Sequence, residues 1–491
     1  MSHCLVVFTA TFPAGTMDSF IHEELPYTAA QFDDVLIFPV NAVGALSRPD
    51  PRLPQNCVAY LTNQRGRIGG RLRDIAYLSG ATFKRASYFL REREKKAKGI
   101  KNKIFLQYFE GRAAQASNDI WRVLEPLLRP YEKVTFYSYW LYVSCLTMLR
   151  VADRTASRYP DKEVALFSRA HGYDLYEDAD DRGYLPYRQL FLRRLDGIFP
   201  CSADGVRHLE ETWRQEPQDN DRPPVWLARL GMPAPEKLIA QLTPDERQEL
   251  DRLLAARERD ETVIELVTCA WIRPVKRVDL LVDALAALRG RSAQKWRWTH
   301  FGGAEKDADF KALEQRVAGD LDFMEVNLPG TRSRSFILSY YLEARPDLFV
   351  NTSYSEGVPV SIMEAMSASL PIYATDVGGT AEITGTEGVG KLWNRGVTAG
   401  QIAADLSLFA KLSADERAKP GHAARLRWDR ICRAERNYRQ FAEVLSGQSS
   451  LRNVPFESAE AGDTIVSENN VEPEEMAADL TDKGRVTNEE A

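Results

Sequence analysis

The sequence has no long apolar run. No stretch reaches the roughly 18 apolar residues needed to cross a bilayer as a helix; the nearest, residues 135–149, is short and broken by Tyr, Ser and Thr, and reads as a buried helix. The opening MSHCLVVFTATF lacks a basic leader and a small-residue cleavage site and passes straight into a strand-like pattern, so no secretory signal is expected. Cysteine is sparse: the six residues Cys4, Cys57, Cys145, Cys201, Cys269 and Cys432 stand singly, with no Cys-x-x-Cys pair and no histidine at ligand spacing. That excludes a disulfide scaffold and a zinc knuckle, and it points to reduced core thiols in a cytosolic protein. No strong excess of one charge is present either. The net charge is −6, but residues 457–491 alone carry eleven acidic against two basic residues, so the remainder is near +3. No nucleic-acid partner is expected.

What is present is an ordinary globular composition, 44% hydrophobic and 27% charged over 491 residues, enough for two to three domains. Short apolar runs alternate with longer helical stretches: LVVF at 5, VLIFPV at 35, VALF at 164, VIELV at 263, LFV at 348 and PIYA at 371. Strands separated by helices predict βαβ units and parallel sheets covered on both faces. The Pro-rich polar stretch 214–236 divides two such series, giving domains 1–225 and 226–425. Helical spacing at Trp428, Ile431, Tyr438, Phe441 and Leu445 predicts a closing helix over 426–446 that joins the first domain. Residues 447–491, acidic and poor in aromatics, are expected to be disordered.

Two open α/β domains facing each other place their cleft at the carboxyl ends of their strands, so the residues just after strands carry the chemistry. After LFV come the loop Asn351 to Gly357 and a helix introduced by Pro359, which puts Glu356 in the loop and Glu364 in the helix. About 7.5 Å of helical rise separates Pro359 from Glu364, so the two carboxylates would hold different parts of one elongated ligand, each accepting hydroxyls. A Glu pair eight apart arises readily by chance; the surrounding string carries the weight. After PIYA, Gly378-Gly379 lets backbone approach a ligand, and Thr380 starts a helix whose N-terminus favours an anion. Lys276 and Arg277 follow VIELV, where cations suit a diphosphate. In the first half, His171 and Gly172 follow one strand, and Gly15 lies in the loop after another.

Together these strings resemble the retaining glycosyltransferases of the GT-B fold, family-4 type, and most of all the bacterial enzymes that build exopolysaccharide and surface glycans. SEGVPVSIMEAM is similar to that family's paired-glutamate motif and LPIYATDVGGTAEI to its continuation; TATFPAG, SRAHGYDLY, IRPVKRVDLL and WTHFGG extend the likeness over residues 4–445. The resemblance implies two Rossmann-like doubly wound domains facing across a cleft, and transfer of a sugar from a nucleotide-sugar to a glycan or lipid-linked acceptor with retained configuration. It implies that Glu364 holds the ribose, that Glu356 with the backbone of Gly357 and Val358 holds the donor sugar, that Lys276 contacts the diphosphate, and that His171 lies beside the sugar from the opposite domain.

Where the family commonly has an Arg five residues before the Lys, this chain has Trp271; Arg273 and Arg277 are the candidate replacements. Ala368-Ser369 stands where a Gly is usual, with little effect expected. No metal is assigned to Asp178-Ala179-Asp180 or Asp320-Leu321-Asp322, and no cofactor beyond the co-substrate. The basic segment LREREKKAKGIKNK (90–103), flanked by aromatic and aliphatic residues, suits either peripheral contact with anionic lipid or a solvated helix. Two rival functions are an inactive GT-B homologue acting as a binding subunit and a GT-B nucleotide-sugar epimerase.

Overall fold

The computed structural model describes residues 2–15, 20–42, 52–62, 92, 96–177, 182–214, 223–256, 263–291, 294–385 and 388–448. The expected disorder of the tail, the 178–180 triplet and the first part of the basic segment fall on residues outside that set.

The first sheet comprises β1 (His3–Thr9), β2 (Asp34–Pro39), β3 (Cys57–Ala59), β4 (Lys133–Ser138), β5 (Glu163–Ala170) and β6 (Gly197–Pro200), in the order β3-β2-β1-β4-β5-β6. The second comprises β7 (Val263–Cys269), β8 (Lys295–Phe301), β9 (Glu325–Gly330), β10 (Leu348–Asn351), β11 (Ile372–Thr375) and β12 (Gly390–Trp393), in the order β12-β11-β10-β7-β8-β9. Every neighbouring pair in both sheets is parallel. Counted from its own first strand, the second sheet repeats the winding of the first, so each is a doubly wound Rossmann-like sheet. Both lie in one compact unit.

Burial on both faces explains the unbroken apolar strand sequences. In β1, Cys4, Val6 and Phe8 enter one core while Leu5 and Val7 enter the core on the opposite face. In β7 the run is interrupted by Glu265, which is buried and ion-paired with Arg297 of β8 at 3.4 Å. A buried carboxylate needs such a partner to offset its lost hydration.

The helices that matter for the cleft are α1 (Ile21–Ala29), α2 (Gly99–Leu127), α3 (Val143–Arg158), α4 (Gly172–Leu175), α5 (Val278–Ala286), α6 (Arg334–Ala344), α7 (Val360–Ser367), α8 (Thr380–Thr384), α9 (Ala414–Ile431) and α10 (Ala434–Ser446). Residues 135–149, expected as one buried helix, divide instead into β4 and the start of α3. The Val-Thr-Phe-Tyr run favours a strand, and Ser138 Oγ donates to the Trp140 carbonyl at 2.7 Å in the turn that follows.

The closing segment is also two elements rather than one helix. It breaks at Cys432-Arg433, where Met232 inserts: its N–H donates to Cys432 O at 2.8 Å, and Ala434 N–H donates to Met232 O at 3.1 Å. A Cβ on Gly231 would fall 2.4 Å from Ala434 Cα, so only glycine lets the connecting chain thread this gap. Past the break, α10 packs on α1 of the first domain. Its Phe441 ring covers Arg169, which is fully buried and paired with Glu24 of α1 at 2.7 Å.

Candidate active site

The order of the second sheet reverses between β7 and β10, and the loops leaving those two strands part there to form a crevice. Lys276 lies in the short 3-10 turn Pro274–Lys276 after β7, and Glu356 in the loop after β10. The structure brings them together: Lys276 Nζ is 2.7 Å from both carboxylate oxygens of Glu356. Glu356 is further fixed by Ser353, whose Oγ donates to its Oε1 at 2.6 Å, and by Asn351 Nδ2 at 3.3 Å. An ammonium has three N–H groups. Glu356 engages at most two, so Lys276 keeps donor capacity beside an ionic pair held in one orientation.

Arg277 and Arg273 do not share that position. Arg277, in the left-handed region with φ 47°, turns its guanidinium onto backbone carbonyls, Nε to Thr352 O at 2.7 Å and Nη1 to Arg395 O at 2.8 Å. It braces the Glu356 loop from behind. Arg273 is exposed and contacts Glu305 at 3.4 Å. Trp271 is half exposed.

Glu364 lies one turn and a half into α7 and is buried. Its Oε1 accepts from Arg334 Nε at 2.8 Å, and Arg334 Nη1 reaches Glu23 Oε1 of α1 at 3.2 Å. Burial pushes the Glu364 carboxyl above its ordinary range and the Arg334 guanidinium opposes that shift. Pro359 caps α7 rather than forming its first residue.

Gly378 and Gly379 serve the loop more than a ligand. Gly378 has φ 54°, and a Cβ there would sit 1.8 Å from Glu356 O. The Gly379 N–H, expected at an anion-binding helix start, donates to Gly357 O at 2.8 Å. The two glycines clamp the β11 loop onto the Glu356 loop.

Across the cleft, His171 follows β5 and caps α4. Its Nε2 lies 3.0 Å from the Tyr139 carbonyl, which can only accept, so Nε2 carries the proton. Nδ1 then accepts the thiol hydrogen of Cys201, 3.3 Å away. Burial, reinforced by the charge of Arg169, pushes the imidazole down to about 3, and burial pushes the Cys201 thiol up to about 12. His171 is thus a neutral ring in a fixed tautomer. Its ring lies against that of Trp140, tilted by 45° with centroids 4.5 Å apart. Gly172 and Gly357 face each other from opposite domains, a Cβ on Gly172 falling 3.3 Å from Gly357 Cα. A cavity of about 290 Å3 opens between the domains there, lined by His171, Trp140, Tyr173 and Phe20 on one side and Gly357 and Val358 on the other. Gly15 lies in the turn after β1, where Thr11 Cβ would be 2.7 Å from an added Cβ.

Arg334, Trp140 and Cys201 also stand at the candidate site, and the motif reading passes over them. Each follows a strand, β9, β4 or β6, so the rule that found Lys276 and Glu356 reaches them as well; no familiar string marks them. Among the described residues, no group of three His, Cys, Asp or Glu could hold a metal ion, and no helix is long and apolar enough to cross a membrane.

Residues 264–406 match the family model described as Glycosyl transferases group 1. A 58-residue stretch is 38% identical to the glycosyltransferase TuaC of Bacillus subtilis (strain 168), assigned to teichuronic acid biosynthesis; the match spans 12% of this chain and 13% of that relative. Over the whole fold the chain is similar to Anabaena HepE, solved in complex with UDP and glucose, at TM-score 0.58 and 14% identity, covering 90% of this chain and 99% of that one. It is similar to sucrose-phosphate synthase from Thermosynechococcus elongatus at TM-score 0.60 and 14% identity, covering 91% and 99%. The E. coli trehalose-6-phosphate synthase bound with UDP-2-fluoro glucose gives TM-score 0.60 at 13% identity, covering 90% and 99%. The fold is GT-B, and the match to the glycosyl transferases group 1 model lies in its second half.

Proposed function

We propose that this chain is a retaining, metal-independent glycosyltransferase that takes a sugar from a nucleotide-sugar and passes it to a glycan or lipid-linked acceptor in surface-polysaccharide synthesis, on the cytoplasmic side of the membrane. The observation that carries the reading is the Lys276–Glu356 pair at the switch point of the second sheet, 2.7 Å through both oxygens. The group 1 match supports it, as do similar folds solved with UDP or a UDP-sugar.

In this reading the diphosphate lies beside Lys276, whose charge opposes the charge that develops on the leaving group. Glu356 orients that ammonium and, with the backbone of Gly357 and Val358, receives hydroxyls of the donor sugar. Glu364 receives the ribose. The neutral His171 ring borders the sugar from the first domain, and the acceptor enters by the aromatic wall of Trp140 and Tyr173. A lipid-linked acceptor would suit the basic segment 90–103, in which Ile100, and just past which Ile104, is exposed on the first turns of α2.

The test is thermal unfolding with a panel of nucleotide-sugars, wild type against Glu364→Ala, because a ligand that binds only the folded state must raise its stability. One donor should raise the wild-type Tm, and the variant should lose the shift. Product analysis in EDTA then reads transfer and anomeric configuration. If no nucleotide or nucleotide-sugar shifts the wild type at millimolar concentration, the enzyme reading gives way to that of a binding subunit. Donor consumption without any acceptor would favour an epimerase.

A further inference from the structure

Arg334 has no part in the motif that suggested the site, yet it is the side chain in which the site's two halves meet. It opens α6, directly after the β9 loop, and its guanidinium is shared between Glu364 of the second domain at 2.8 Å and Glu23 of the first at 3.2 Å. The Phe20 ring lies 5.3 Å below it and limits its swing. Arg334 is itself half buried, so water screens the arrangement only in part.

We propose that Arg334 is the positioning residue for the ribose-binding carboxylate: it aims Glu364 at a ribose diol and takes its own orientation from Glu23 across the cleft. The inference rests on the reading of Glu364 given above and names what makes that carboxylate competent. Arg334 bonds to Oε1, and a carboxylate has further lone pairs to accept two hydroxyls. Burial alone would drive Glu364 toward its protonated form; Cys269 and Tyr341, which also face it, supply no positive charge, and Arg334 does. A protonated carboxyl accepts a diol less well than a carboxylate. Because one guanidinium serves both domains, holding the ribose and holding α1 in place are coupled, and the coupling acts in both directions.

The experiment compares the binding of UDP with that of 2′,3′-dideoxy-UDP by calorimetry in wild type, Arg334→Met, Arg334→Lys and Glu23→Gln, each checked for an unchanged Tm without ligand. A site that hydrogen-bonds the diol should prefer UDP by about tenfold or more. Arg334→Met should bring that ratio to within about twofold, Arg334→Lys should restore part of it, and Glu23→Gln should reduce it to an intermediate value. If Arg334→Met weakens both ligands equally and leaves the ratio intact, Arg334 is a general anchor and the proposal falls, while the glycosyltransferase reading stands. If the wild type does not distinguish the two ligands, the placement of ribose at Glu364 fails, and this proposal fails with it. If neither binds, and ADP and GDP do not bind either, the enzyme reading itself is overturned.

Discussion

The two sheets have the same winding and present the same edge to the cleft, yet they furnish that edge with opposite chemistry. On the second domain the groups after β7, β9 and β10 are ionic and mutually bonded: Lys276 with Glu356, Arg334 with Glu364. On the first, the groups after β4, β5 and β6 are aromatic or neutral: Trp140, a His171 fixed as the uncharged ring, and Cys201. Under the proposed function, a diphosphate with ribose would need the charge and carboxylates of one edge, and a sugar ring the flat apolar walls of the other. The comparison teaches that one topology can carry two different chemistries by changing only the loops at the carboxyl ends.

The largest effect should come from breaking the ionic side. Glu356→Gln keeps the shape but removes the charge that orients Lys276, and turnover should fall at least about a hundredfold while nucleotide binding, read by calorimetry, changes less than about tenfold. Equal losses in both would place Glu356 in uniform binding rather than in the reacting half.

Gly378→Ala comes next. Its φ of 54° and the 1.8 Å approach to Glu356 O leave no room for a methyl group, so the Glu356 loop must shift. Donor affinity should drop about tenfold, with a loss of several degrees in Tm; an unperturbed variant would show that the loop relaxes freely.

The neutral side is best sharpened by pH. The His171 imidazole, held down to about 3, is uncharged in the fold and takes up a proton in the unfolded chain below about 6.5. Its contribution is therefore present above 6.5 and lost as pH falls toward 3. The Tm gap between wild type and His171→Asn should narrow steadily from pH 7 to pH 4. A gap that widens would mean the ring is charged in the folded protein. Cys201→Ala, which removes the hydrogen bond to Nδ1 and the longer one from Arg169 Nη1 at 3.7 Å, should cost less than about fivefold in turnover.

The smallest effect is expected at Ser369, which adopts φ 61° in the turn before β11. A left-handed backbone costs a serine roughly 1 kcal/mol relative to glycine, so Ser369→Gly should be neutral to slightly stabilising in thermal unfolding and leave turnover unchanged. A clear loss would mean that the serine side chain supports the turn.

How legible the molecule was in its sequence follows the same division. Strands β1, β2, β5, β7, β10 and β11 announce themselves as apolar runs, whereas β4 reads as helix and the edge strands β9 and β12, largely unburied, carry no such run; the post-strand rule singled out Lys276, Glu356 and Glu364 because they lie within or beside recognisable strings. What it misjudged were tertiary decisions. Arg277 carries the same charge as Lys276 one residue earlier, but its left-handed backbone points it at carbonyls. Gly379 heads a helix, but its N–H is taken by Gly357. The closing segment has helical spacing throughout, but Met232 from the connecting chain splits it at Cys432-Arg433. Arg334 left no trace in any string, since its partners Glu23 and Glu364 stand 311 and 30 residues away.

By itself, then, the sequence determined the alternation of strands and helices and the buried central strands, because alternation, strand length and helix starts are local properties of side chains. It also determined which residue types stand at the ends of the strands. Which of those groups meet, which hydrogen-bonding capacity remains for a ligand, and how far burial shifts His171 and Glu364 were decided only when each sheet was wound and its post-strand loops packed together, with Arg334–Glu23 added across the cleft. Burial and partner charge are properties of the surroundings, and for these residues the hydrogen-bonding partners stand 30 to 32 positions away in the chain.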